Sequence, residues 1–133
     1  MQMINLAYIV DDDEILVMLM QMLLKRNPHY QESLTFQHGQ DALDALSDAI
    51  TNRTELPQVI FLDLNMPLMD GWQFLEEFKL LAIPREIPVY VVTSSIDPSD
   101  IETAKKYPSV KGYIEKPVSD IKLNEIYGQL MKK

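Results

Sequence analysis

Five short runs rich in apolar and β-branched residues recur along the chain, and stretches with helical spacing separate them. The runs are MINLAYIV (3–10), ESLTFQ (32–37), PQVIFLDL (57–64), IPVYVVT (87–93) and GYIEK (112–116). Between them, segments such as DALDALSDAI and WQFLEEFKLL repeat apolar residues at the spacing of an amphipathic helix. Strand and helix therefore alternate, which argues for an α/β fold with a parallel sheet covered by helices on both faces. The central runs are almost continuously apolar, as strands buried on both sides should be. ESLTFQ is more polar and reads as a sheet edge. The turn residues agree: Pro57, Pro84 and Pro88 stand at or before strand starts, where a missing N–H is tolerated. Gly39 with Asp41, Gly71 after Asp70, and Pro98 after Asp97 mark strand-to-helix turns.

At 133 residues the chain has room for one well-buried core. The last helical stretch, 118–131, runs almost to the end, so a single domain over 1–133 with nothing appended is expected. Cysteine is absent, which removes disulfides, zinc–thiolate sites and thiol catalysis, and is compatible with a cytoplasmic setting. A net charge of -8 disfavours direct nucleic-acid binding, because phosphates attract basic patches. The longest apolar stretch, 15–24, is interrupted by Gln21 and is too short to span a bilayer. The acids DDDE precede it, the wrong charge for a signal peptide, so no membrane association is expected.

In open parallel sheets, ligands bind beyond the carboxyl ends of the strands. The first run ends in Asp11, Asp12 and Asp13, and the third in Asp63, followed by Asn65. The fourth ends in Thr93, Ser94 and Ser95, and the fifth in Lys116 before Pro117. Carboxylates held together raise one another's pKa unless a cation joins them. A small all-oxygen site suits Mg²⁺, which commonly takes phosphate oxygens as well. A lysine and a hydroxyl opposite the acids would meet the remaining oxygens of a phosphoryl group, and a carboxylate can itself attack phosphorus. The set reads as a phosphoryl-transfer site with an aspartate as acceptor.

Four segments in order, YIVDDDE, FLDLNMPLMDG, VVTSS and YIEKP, resemble the motifs of a response-regulator receiver domain of two-component signalling, of the stand-alone CheY-like kind. The resemblance covers nearly the whole chain. It implies a doubly wound, flavodoxin-like (βα)5 fold whose five-stranded parallel sheet has the order 2-1-3-4-5, and a receiver with no output domain.

By the same resemblance, Asp63 is the phosphoacceptor, and Asp11 and Asp12 hold Mg²⁺ together with Asp63 and the backbone carbonyl of Asn65. The triple Asp leaves a second register open, Asp12 with Asp13; in the first, Asp13 becomes a helix-start residue. Thr93 matches the hydroxyl that meets the phosphoryl group, Ser94 the small residue beside it, and Lys116 the lysine that pairs with the phosphate. The Lys116–Pro117 bond is commonly cis in the family. Tyr113 is either the aromatic that moves with Thr93 as a switch or a half-buried strand tyrosine. Leu16, Leu19, Met20 and Leu23 suffice for a core-facing stripe on the first helix. Ile15, Met18 and Met22 form an adjoining stripe, read either as tolerated surface residues or as a docking surface for the phosphodonor. His29 and His38 have no second ligand at useful spacing, and Trp72 reads as packing. The partners implied are a histidine kinase or histidine phosphotransfer protein and a downstream protein, with the chain a monomer or weak dimer. The competing readings are an aspartate-nucleophile Mg²⁺ phosphatase, which would want an acid at Asn65 and a cap, and a flavodoxin-like cofactor binder. A degenerate receiver that binds without phosphorylation is the third.

Overall fold

A computed structural model describes residues 2–94 and 96–132. Strands and helices alternate as β1 Ile4–Val10, α1 Glu14–Arg26, β2 Tyr30–Phe36, α2 Gly39–Asn52, β3 Val59–Asp63, α3 Gly71–Phe78, β4 Val89–Thr93, α4 Pro98–Ala104, β5 Val110–Glu115 and α5 Asp120–Met131. The five strands form one parallel sheet in the order β2-β1-β3-β4-β5, so the expected topology and the edge position of β2 are met.

Alternation along the buried strands sends side chains to two cores. On one face Ile9, Phe61, Val92 and Ile114 meet Leu16, Met20 and Leu24 of α1 and Leu123 and Ile126 of α5. On the other, Tyr8, Val10, Ile60 and Leu62 meet Leu43 and Leu46 of α2 and Phe74, Leu75 and Phe78 of α3. Helix α4 buries only Ala104 within its span. Beyond its end, Tyr107 stacks on the Trp72 ring at 6.1 Å and donates its hydroxyl to Glu76 of α3 at 2.5 Å.

Local chemistry fixes the helix starts. Asp13, Asp70, Asp97 and Ser119 each accept a backbone N–H of the first turn of the helix that follows, and Pro98 sits at the first turn of α4. The Ser119 cap explains why α5 begins at Asp120 rather than at residue 118. Helix α1 departs from its predicted stripe: Leu16, Met20 and Leu24 are buried, but Leu19 is 48% exposed and Leu23 half-buried. The helix lies at the sheet's margin over β2, where it can bury only a narrow face. No helix is long and apolar enough to cross a membrane among the described residues.

Candidate functional site

The ends of β1, β3, β4 and β5 bring the site together. Asp63 is the last residue of β3 and Asp11 the first after β1; both are buried, at 3% and 2% exposure. One carboxylate oxygen from each of Asp11, Asp12 and Asp63 lies within a common 4.8 Å. Thr93, also buried, ends β4, and its carbonyl accepts the backbone N–H of Lys116 at 2.8 Å. That bond sets Lys116 beside the acids, its Nζ 3.3 Å from Asp11 Oδ2 and 3.6 Å from Asp63 Oδ1. The Lys116–Pro117 peptide bond is cis. Ser94 is exposed next to Thr93, and Ser95 lies outside the described residues.

Asp13 is directed elsewhere. Its side chain accepts the N–H groups of Ile15 and Leu16, at 3.1 and 3.2 Å, while its own N–H donates to Asp11 Oδ1 at 2.9 Å. Spent on capping α1, Asp13 leaves Asp11 and Asp12 as the acids that face Asp63.

The segment after Asp63 folds back over a tight contact. The Asn65 N–H donates to Asp63 Oδ1 at 3.3 Å, and the Gly71 N–H donates to the Leu64 carbonyl at 2.9 Å. A Cβ on Gly71 would stand 2.8 Å from the Asp63 carbonyl oxygen and from the Leu64 Cα, backbone atoms with no freedom to retreat. Leu68, at the turn's tip, adopts a left-handed φ of 69° and is 92% exposed. Gly71 is legible in the sequence as a turn residue; its second task, admitting α3 against the strand end, is not.

Burial, and then the like charge of Asp11, push the Asp63 carboxyl up from its ordinary 3.8 to about 6, against the pull of Lys116 and the Asn65 N–H. Three carboxylates facing one ammonium leave negative charge uncompensated. An all-oxygen donor set of that sign fits a hard divalent cation such as Mg²⁺.

A family model for the response regulator receiver domain matches residues 7–127. The chain belongs to this receiver-domain family. It is 28% identical over 117 residues to a chemotaxis protein CheY homolog of Campylobacter jejuni, across 88% of this chain and 85% of that one. A two-component response regulator from Cytophaga hutchinsonii has a structure similar to it at a TM-score of 0.90, with 26% identity over 99% of this chain and 100% of that one. The phosphorylated cyanobacterial phytochrome response regulator RcpA is also similar, at a TM-score of 0.73 and 28% identity, over 94% and 89% of the two chains.

Two further groups of the residues singled out in the sequence lie on β5 and α1 of this receiver. Tyr113 on β5 is half-buried, and its hydroxyl donates to the Ile101 carbonyl of α4 at 3.3 Å. On α1, Ile15, Met18 and Met22 are 72%, 59% and 51% exposed, and Leu19 joins them at the surface. His29 stacks on Tyr127 at 4.0 Å, away from the acids, and His38 is exposed before α2.

Proposed function

We propose that this receiver accepts a phosphoryl group on Asp63 from the phosphohistidine of a histidine kinase or phosphotransfer protein. The observation that carries the reading is Lys116 Nζ set between Asp11 and Asp63 at the carboxyl edge of the sheet, with Asp12 completing the acid cluster. That a relative of similar fold is a phosphorylated response regulator supports it.

The chemistry follows from the side chains. An Asp63 carboxylate oxygen attacks phosphorus in line, the bond from phosphorus to the donor nitrogen breaks, and an acyl phosphate forms. Lys116 moves its charge from the acids to the new phosphoryl oxygens, and the Thr93 hydroxyl hydrogen-bonds another. Asp11, Asp12, Asp63 and the Asn65 carbonyl would hold Mg²⁺, which supplies positive charge to the transferring oxygens when bound. The engagement of Thr93 draws on the β4–β5 edge, where Tyr113 tethers α4, and so biases how α4 sits. The output is altered binding to a downstream protein, or onward transfer of the phosphoryl group, by a cytoplasmic receiver. The exposed residues Ile15, Met18 and Met22 receive the donor protein.

Incubation with acetyl phosphate and Mg²⁺, read by intact mass, tests this. One added phosphoryl group is expected, absent in Asp63→Asn. A chain that takes up none would be a receiver that signals by binding alone, and steady release of phosphate from unrelated monoesters would make it a phosphatase.

A further inference from the structure

Of the two edges of the sheet, β5 is protected and β2 is not. Strand β5 carries Lys111 and Gly112 and shifts register against β4. Strand β2 pairs with β1 alone in unbroken register, from Tyr30 with Ile4 to Phe36 with Val10, so no bulge turns its edge aside. Its sequence, YQESLTF, holds no proline, glycine or lysine, and Glu32 is its single charge. Such devices are what normally keep an edge strand from pairing with another chain. Apolar groups border this edge on both faces: Leu34 is 48% exposed, and Met18 and Met22 of α1 stand above it. The groove between α1 and β2 is lined by Met18, Met22, Lys25, Gln31, Glu32 and Ser33.

The charges of α1 are disposed oppositely about those methionines. Glu14 lies in its first turn, and Lys25 and Arg26 in its last. Gln37, just past β2, donates its side-chain amide to Glu14 at 3.1 Å and so holds the acid toward the edge. Lys25 lines the groove at its other end. A two-fold axis between the methionines, level with Ser33 at the middle of β2, sets each acidic end against the basic end of a second copy.

We propose that β2 and α1 form the interface of a homodimer, in which β2 pairs antiparallel with β2 of a second copy about an axis at Ser33. All seven residues of the strand then find partners. Glu32 faces Leu34 and Tyr30 faces Phe36, so no like charges stand directly opposite one another across the strands. The two sheets become continuous, the methionines of both copies fill the grooves, and Glu14 meets Lys25 at either end. Such an interface is isologous and self-complementary. The proposal is independent of the reading of Asp63, but it covers Met18 and Met22, so a paired copy cannot present them to a phosphodonor.

Sedimentation of the full chain over a wide concentration range tests it, with circular dichroism reporting the fold of each variant. The wild type is expected to dimerise reversibly. Glu14→Lys or Lys25→Glu alone weakens the dimer about tenfold, and the double variant restores it to within about threefold. Leu34→Glu, facing Glu32, removes the dimer, whereas Leu34→Lys keeps it. All three positions are exposed, so the fold tolerates these changes. A monomer at every concentration, a dimer indifferent to the reversals, or a double variant that fails to recover overturns the proposal.

Discussion

Asp63 meets two opposing demands. As the proposed acceptor it would have to be ionised to attack phosphorus, yet it is buried beside another acid, which favours its neutral form. Its carboxyl is raised from 3.8 to about 6, so between those values the metal-free folded chain binds more protons than the unfolded one. The contribution of Asp63 to stability therefore falls as pH rises from about 4 to about 6, and its loss is complete above that window. Asp63→Asn should flatten this slope and stabilise the metal-free protein at pH 7 by about 1–2 kcal/mol, since solvent at the mouth of the site softens the full cost. Denaturant titrations across pH, in chelator, measure it; an unchanged slope would reject the raised carboxyl. Gly71 is sensitive for a steric reason. Gly71→Ala drives a methyl into the Asp63 carbonyl and the Leu64 Cα, and should cost about 1–3 kcal/mol. It should also slow labelling by acetyl phosphate, because the strand end that yields carries Asp63, the proposed acceptor. Stability retained with labelling intact would show that the turn can relax.

At the level of elements, four of the five strands deliver the site's side chains at or just past their ends, and this made the site readable in sequence. Asp63, Thr93 and Lys116 each follow an apolar run, and the run's end marks where the side chain must surface. Asp13 is less transparent, since its capping role depends on where α1 starts and not on the residue type alone. The exposure of Leu19 and the Glu14–Gln37 bond are not legible, because both depend on how α1 lies across β2, a distance that periodicity does not encode. Helix α1 is also where donor choice is expected to reside. Met18→Lys should slow transfer from a phosphohistidine donor about tenfold while sparing acetyl phosphate, which needs no docking face. Equal loss with both donors would assign Met18 to the fold instead.

For the molecule as a whole, an Mg²⁺ ion held by the crowded acids would link metal binding to folding. Mg²⁺ added at ten times its dissociation constant should stabilise the chain by about 1.4 kcal/mol, and chelation should reverse it. Asp12→Ala removes one carboxylate from the cluster and should abolish most of this gain without harming the cores, which it does not touch. Thermal melts with and without Mg²⁺ decide the matter; a gain that persists in Asp12→Ala would place the cation elsewhere. The stack of Trp72 on Tyr107 carries a consequence of its own. The chain's single indole rests against the ring that follows α4, the helix with the fewest buried residues among those described. Its fluorescence is thus a built-in gauge of the seam between α3 and the far end of α4, readable without any attached dye.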